Sequence, residues 1–164
     1  MSALFWEGNE GDIGAIMDVM EHAFDPAFGE AWNAGQCLGM LSLPGVWLSF
    51  AQQEGRTAGF ALSRLLVDEA ELLLLAVEPA SRGQGIGRAL IERTARIAGE
   101  KGARRLLLEV RHDNPALDLY RSAGFAEIGR RCGYYHGADG VTRDALTLAR
   151  EIDLDPSDAL STAP

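Results

Sequence analysis

An unusually apolar strand, followed almost at once by a glycine-rich turn, constrains the fold of this chain most. Residues 71–77, ELLLLAV, show almost no alternation of apolar and polar side chains, so both faces of this strand should be buried within a sheet. The turn SRGQGIGRAL, residues 81–90, follows, and apolar side chains then recur at helical spacing. We therefore predict a central strand that leads into a helix through a loop suited to binding an anion.

The chain before this strand reads as two helices and an antiparallel pair of strands. A helix is predicted over residues 12–24 behind a cap at Asp12, and a shorter helix is expected between Pro26 and Pro44. Glycine and charged residues then separate two runs that are typical of strands. These runs cover residues 46–53 and 57–66.

The chain after the glycine loop alternates between helices and strands. The helix that begins in the loop should end at Gly102, and a second central strand is predicted over residues 104–110. The next helix has a cap at Asn114, a proline in its first turn and a glycine, Gly124, after its end. Two further strands are predicted at residues 125–131 and 142–150.

This order of elements predicts the fold class. Strands that alternate with helices after an antiparallel pair indicate a single-domain α/β (α+β) fold, with a mixed central sheet flanked by helices. The 164-residue length suits one domain with its own core, which we place over residues 1–150. Residues 151–164 are acidic and small, and we expect them to form a loose tail.

Charge and composition exclude several classes of function. The formal net charge of −9 and the sequence pI of about 4.8 argue against general nucleic-acid binding, which needs a basic surface. The two cysteines, Cys37 and Cys132, fit no metal or disulfide pattern, and the three histidines are far apart, so we expect no metal. No targeting segment or membrane span is recognisable, which predicts a cytoplasmic protein. The sequence does not fix the oligomeric state.

The spacing of the glycines decides between possible anionic ligands of the loop. A nucleoside-triphosphate loop needs G-x-x-x-x-G-K-[ST], which the sequence lacks. A dinucleotide loop needs G-x-G-x-x-G, but Leu90 occupies the sixth position counted from Gly85. The remaining pattern is R-x-x-G-x-G, which runs from Arg82 to Gly87.

This pattern resembles the signature of the GNAT superfamily of N-acetyltransferases, whose loop holds the pyrophosphate of acetyl-CoA. The segments LEVRHDNPALDLYRSAGF and GRRCGYYHGADGVTRDALTL resemble the continuation of that signature. Residues 57–148, together with FGEAW from Phe28 to Trp32, are most similar to the RimI-type acetyltransferases of ribosomal-protein N-terminal alanines. The resemblance implies an acetyl-CoA-dependent enzyme that acetylates a protein N-terminal amine, with alanine of a small-subunit ribosomal protein as the expected acceptor.

The resemblance also implies roles for particular residues. Glu109 falls at the position of the general base, and Tyr120 at that of the proton donor to the leaving thiolate. This chain is one residue shorter than usual before Tyr120, so either Asn114 or Asp113 takes the position of the family's cofactor-binding asparagine; we favour Asn114. The other residues expected at the cofactor, through the backbone of the strand and the loop, are Leu75, Ala76, Val77, Gly83, Gln84, Gly85, Ile86, Gly87 and Arg88.

Several alternatives remain open at this point. His112 lies close enough to Glu109 in sequence to be a rival base, and Tyr134 and Tyr135 could line an acceptor groove. The acceptor could instead be a small amine, such as an amino acid or a polyamine. A non-catalytic sensor that only binds CoA is the third possibility.

Overall fold

The computed structural model describes residues 2–153, which build a seven-stranded sheet with helices on both faces. The strands are β1 Leu4–Gly8, β2 Val46–Gln53, β3 Arg56–Leu66, β4 Glu69–Val77, β5 Arg105–Arg111, β6 Ala126–His136 and β7 Thr142–Glu151. The helices are α1 Ile13–Ala23, α2 Ala34–Leu41, α3 Ile86–Glu100 and α4 Leu117–Ser122. The predicted mixed sheet flanked by helices is confirmed. Within the described residues, no helix is long and apolar enough to cross a membrane.

The order of the strands places one parallel junction in the middle of the sheet. The order is β1-β2-β3-β4-β5-β7-β6, and β4 and β5 form its parallel pair among the described strands. They pair only from Glu69 opposite Arg105 to Glu71 opposite Leu107, although both strands continue further. The two strands therefore separate towards their C-terminal ends.

A β-bulge in β4 lies at the start of this separation. Leu62 of β3 pairs with Leu74, and Ser63 pairs with Leu72, so Leu73 is an extra residue in β4. A bulge bends its strand and increases the local twist. Because Leu73 follows closely after the last residue that pairs with β5, the bulge accounts for the direction in which β4 leaves its neighbour.

The core has one layer on each side of the sheet. Helix α3 covers one face with Ile86, Leu90 and Ile91, which pack with the apolar side chains of β5 and β7. Helices α1 and α2 cover the other face, where Ile16 and Met20 lie in one cluster with Phe50, Phe60 and Cys37. Both faces of β4 are thus covered, as its apolar sequence predicted.

The structure corrects several local predictions. The strand β1 was not predicted; it is short and lies at the edge of the sheet beside β2. Asp12 does not cap α1 with its side chain; instead Asn9 caps a short 3-10 turn over Glu10–Asp12 that leads into the helix. Helix α4 begins at Leu117, later than the predicted cap at Asn114 indicates, although the Asn114 side chain accepts a hydrogen bond from the N–H of Ala116.

The ends of the later elements are also revised. Strand β6 extends to His136, beyond its predicted end, and its pairing with β7 shifts register between Arg131 and Tyr135. Strand β7 ends at Glu151. The predicted tail over residues 151–164 falls mostly outside the described residues, so it stays a prediction.

The turn between β3 and β4 provides a test of backbone strain. Leu66 pairs with Glu69, and Val67 adopts φ +58° at the first position of this two-residue turn, where glycine is preferred. We expect Val67→Gly to raise the free energy of unfolding by about 1 kcal/mol, because the left-handed strain disappears. Urea denaturation measures this change. Leu66→Gly is the control and should destabilise the protein; a loss of stability in Val67→Gly would contradict the assignment of strain.

Candidate active site

A cleft of about 630 Å³ lies where β4 and β5 separate. Its walls are the end of β4, the glycine loop, the start of α3, the turn before α4, α4 itself and the segment after α1. The predicted site residues that line it are Leu75, Ala76, Val77, Gly83, Gly85, Ile86, Gly87, Arg88, Asn114 and Tyr120. The structure therefore gathers most of the predicted site around one cavity.

The glycine loop presents free backbone groups to this cleft. Gly83 and Gly85 have φ of +72° and +81°, and a side chain at either position would meet no neighbour within 4 Å. Helix α3 begins directly after Gly85 without a side-chain cap. Its first N–H groups and the positive end of its dipole are thus available to an anion. A pyrophosphate fits this arrangement.

Close packing explains the next glycine of the loop. A Cβ on Gly87 would lie 3.1 Å from Cδ2 of Leu119, on α4, and 3.7 Å from Cγ2 of Val77. The absence of this side chain lets the start of α3 approach both β4 and α4. The cleft is narrow at this point because all three elements meet there.

Two long side chains of the loop point in different directions. Arg82 lines the cleft and donates hydrogen bonds to the carbonyl oxygens of Val77, at 3.2 Å, and Ala23, at 2.9 Å. The Gln84 side chain does not line the cleft; its Oε1 accepts from Nε2 of Gln53, at 2.6 Å. Any contribution of Gln84 to the predicted cofactor site is therefore left to its backbone.

The end of β4 offers backbone groups on its open edge. Leu75, Ala76 and Val77 pair with β3 on one side. On the other side they have no partner in β5, since the pairing of these strands ends at Glu71. Apart from the Val77 carbonyl oxygen, which accepts from Arg82, the backbone N–H and C=O groups that point into the gap can bind a polar, extended ligand.

Tyr120 lies in the wall of the cleft on α4. Its ring packs edge-on against Phe125, with the centroids 5.9 Å apart, and the residue is buried. Burial, and to a smaller extent the negative charge of Glu30, raise the pKa of Tyr120. The hydroxyl group therefore keeps its proton at physiological pH and can act as a donor.

The two candidates for the family's asparagine position differ in their surroundings. Asn114 lines the cleft, and its Oδ1 accepts a hydrogen bond from the N–H of Ala116 at 2.9 Å. Asp113 does not line the cleft and instead forms ion pairs with Arg111 and Arg143. This placement favours Asn114 at the cofactor position.

Glu109 lies near the cleft but does not line it. Its side chain is 26% exposed, and Nε of Arg131 lies 3.2 Å from its Oε1. Despite this proximity, Oε1 is buried and accepts no hydrogen bond from any described residue. The Oε1 atom thus interacts with Arg131 as an ion pair and not through a well-formed hydrogen bond. His112, the alternative base, is exposed and does not line the cleft either.

Tyr135 interacts electrostatically with Glu109 and also with Glu30, which lines the cleft. Burial raises the pKa of Tyr135 to about 12, and the negative charges of Glu30 and Glu109 add to this shift. Both carboxylates therefore lie close enough to Tyr135 to disfavour ionisation of its hydroxyl group. Tyr134, by contrast, is exposed.

Among the lining residues that were not predicted individually as site residues, Phe28, Glu30 and Arg111 form one cluster. Phe28 and Glu30 come from the segment after α1, and Arg111 ends β5. Arg111 is only 4% exposed, and its Nη1 lies 2.5 Å from Oε1 of Glu30. The resemblance of FGEAW pointed to this segment, but no local pattern pairs Glu30 with an arginine 81 positions later.

The chain belongs to the GNAT family of acetyltransferases, whose family model matches residues 15–125. A relative from Escherichia coli (strain K12), the ribosomal protein bS18-alanine N-acetyltransferase, is 41% identical over 103 residues, which are 62% of this chain and 69% of the relative. The chain is thus an N-acetyltransferase, and the cleft is its candidate active site. Within residues 2–153, no three or more potential metal-ligating side chains lie together in a group that could hold a metal ion.

Solved structures agree with this assignment. The crystal structure of the ribosomal-protein-S18-alanine N-acetyltransferase from Escherichia coli superposes with a TM-score of 0.84 at 31% identity, over 94% of this chain and 96% of that one. The PaiA N-acetyltransferase from Thermoplasma acidophilum, in complex with coenzyme A, gives a TM-score of 0.73 at 16% identity, over 92% and 99% of the two chains. This second likeness shows the fold alone.

A charge placed in the loop tests the anion site. We expect Gly85→Asp to weaken the binding of coenzyme A by about 100-fold, because a carboxylate would repel the pyrophosphate at the start of α3. Isothermal titration calorimetry measures the dissociation constant. Gly102→Asp is a matched control, since Gly102 also has a positive φ, of +89°, and open space around it, but lies beyond the opposite end of α3. Equal affinity in both variants would exclude the loop as the binding site.

Proposed function

We propose that this chain transfers the acetyl group of acetyl-CoA to the N-terminal α-amine of a protein, and that the acceptor is the N-terminal alanine of ribosomal protein bS18. The acceptor is taken from the name of the Escherichia coli relative. A ribosomal acceptor would be met in the cytoplasm. The observation that carries the proposal is the separation of β4 from β5 beside an uncapped helix start, which together make one continuous cleft.

The residues of the cleft suit acetyl-CoA as the acetyl donor. The N–H groups from Gly83 to Arg88 would hold the pyrophosphate, and the free backbone edge of Leu75 to Val77 would pair with the amide-containing arm of the cofactor. Asn114 lies in the wall on the α4 side of the cleft. Acetyl-CoA supplies the thioester, and backbone N–H groups of β4 would stabilise negative charge on the thioester oxygen.

Glu109 is proposed as the general base for the acceptor amine. Its Oε1 is buried and accepts no hydrogen bond from the described residues, and Arg131 is its ion-pair partner, so the carboxylate would take the proton that the amine loses while Arg131 stays beside it. An N-terminal α-amine has a pKa of about 8 and is already partly neutral at pH 7, whereas a lysine amine, near 10.4, is not. A carboxylate base therefore suits an α-amine better than a lysine side chain.

Tyr120 is proposed as the general acid. Its hydroxyl group lies in the cleft wall and retains its proton because burial raises its pKa. The leaving thiolate needs a proton as the carbon–sulfur bond breaks.

Removal of the Tyr120 hydroxyl group tests whether this residue contributes to the rate of acetyl transfer or to the binding of acetyl-CoA. We expect Tyr120→Phe to lower kcat by about 100-fold, the usual scale of general acid catalysis, with the dissociation constant of acetyl-CoA unchanged. Steady-state kinetics and calorimetry give the two values. Tyr134→Phe is the control, because Tyr134 is exposed and does not line the cleft. An unchanged kcat in Tyr120→Phe would remove this residue from the mechanism.

The choice of acceptor is tested by release of free thiol from acetyl-CoA. One peptide has a free N-terminal alanine followed by basic residues, which the net charge of −9 should attract. The control peptide has a blocked N-terminus and carries a lysine. Release with the first peptide alone is expected. Release only with small amines, or binding of acetyl-CoA without any release, would replace this proposal by a small-amine acetyltransferase or a sensor.

A further inference from the structure

Arg111 is the most tightly enclosed charged side chain of the cleft. It is 4% exposed and forms ion pairs with Glu30, at 2.5 Å, and with Asp113. The ring of Phe28 lies beneath its guanidinium group, with Cζ 3.5 Å from the ring centroid. A buried cation thus has two carboxylates and an aromatic face around it. Two of these three partners, Phe28 and Glu30, come from the segment that follows α1.

A second arginine connects the same segment to the hairpin of β6 and β7. Arg143, on β7, pairs with Asp113 at 3.0 Å and with Asp139 at 2.7 Å, and its Cζ lies 5.0 Å from the centroid of Phe28. The backbone N–H of Ala138 also donates to the carbonyl of Ala27 at 3.0 Å. Phe28 therefore contacts both guanidinium groups and fixes its segment between β5 and the hairpin.

This arrangement sets the position of the Glu30 carboxylate. Glu30 lines the cleft beside Tyr120, and its side chain is 17% exposed. Its charge contributes to the raised pKa of both Tyr120 and Tyr135, whereas Glu109 contributes only to that of Tyr135. Glu30 thus lines the same cleft as the proposed proton donor and contributes to the electrostatics of both phenols.

The segment contains little regular structure, and besides Arg111 it is held by the Ala138–Ala27 hydrogen bond, by Arg143 and by the packing of Trp32 against the core. A short 3-10 turn, Pro26–Phe28, precedes Gly29, whose φ of +63° turns the chain, and no regular element follows until α2. An irregular segment needs specific side-chain contacts to keep one conformation. Arg111 supplies two of them, one to the ring of Phe28 and one to the carboxylate of Glu30.

We propose that Arg111 is a positioning residue for the acceptor, because it holds the segment of residues 25–33 against β5 and keeps the Glu30 carboxylate in the cleft to bind the acceptor's ammonium group. This inference rests on the proposed transfer to an N-terminal amine. Glu30 binds the amine in its protonated form, and the proton is lost to Glu109 before the transfer. Neither Arg111 nor Glu30 takes part in the binding of the pyrophosphate.

The test replaces Arg111 by methionine, which keeps much of the side-chain length and removes the charge. We expect the KM for the N-terminal peptide to rise by at least about tenfold in Arg111→Met and in Glu30→Gln, with the affinity for acetyl-CoA changed by less than about twofold. The double variant should be no worse than the worse single variant, since both changes break one contact. Arg111→Lys should restore only part of the loss, because an ammonium group cannot make the same paired contacts.

A second measurement does not depend on the acceptor. Hydrogen exchange of residues 25–33 should be faster in Arg111→Met than in the unmodified protein. Arg64→Met is the matched control: Arg64 makes a two-point contact with Glu71 between β3 and β4, away from the cleft, and its loss should leave both KM and exchange unchanged. If Arg111→Met does not fold, Glu30→Gln and Phe28→Leu replace it, and both are expected to show the same faster exchange of residues 25–33.

The outcomes separate this inference from the proposed function. Inactivity of the unmodified enzyme towards the N-terminal peptide would overturn the proposed acceptor and with it the role of Glu30. Activity of the unmodified enzyme, with an unchanged KM in Arg111→Met and Glu30→Gln, would overturn the inference alone. Unchanged exchange of residues 25–33, or a parallel loss of acetyl-CoA affinity, would also overturn it.

Discussion

The separation of β4 from β5 is the constraint on which the rest of the structure depends. Two central parallel strands normally continue their hydrogen bonds along their whole length, because unpaired buried backbone groups are costly. Here the pairing ends at Glu71 and Leu107, while β4 runs on to Val77 and β5 to Arg111. The bulge at Leu73 makes this divergence possible, since it lets β4 stay paired with β3 while it turns away from β5. The gap becomes a place where a ligand replaces the missing strand.

Glycine residues on two sides of β4 allow the close packing that keeps the gap between β4 and β5 open. A Cβ on Gly59, in β3, would lie 2.6 Å from the carbonyl oxygen of Ala76, so a larger residue there would displace the end of β4. Gly87 has a similar role on the other side, where α3 approaches Leu119. Pairing with β3 and packing with α3 thus fix the end of β4 from two directions. These contacts fix the position of the β4 edge that faces β5 and has no strand partner there.

The local parts of this arrangement could be predicted from the sequence. The apolar run of β4, the glycine loop and the amphipathic pattern of α3 are short-range signals, and each element lies where its pattern indicates. Strand β1 was not predicted, because five residues at a sheet edge are too few to show a clear alternation of apolar and polar side chains. The side-chain directions of Gln84 and Glu109, and the pair of Glu30 with Arg111, depend on contacts between distant segments. No spacing rule encodes such contacts.

On the proposed function this acidic protein binds an anionic cofactor, which requires local electric fields in the cleft to outweigh the net charge. The chain has a formal net charge of −9. The proposed cofactor end of the cleft nevertheless has a positive local field, from the start of α3 with its N–H groups and from the side chains of Arg82 and Arg88. Fixed dipoles and nearby cations act at contact distance, whereas distant surface charges are screened beyond about 8–10 Å. The opposite end carries Glu30, with Glu109 nearby. On the proposed function, one cleft therefore holds an anion at one end and receives a cationic amine at the other, and the enclosed charge of Arg111 keeps Glu30 at the amine end.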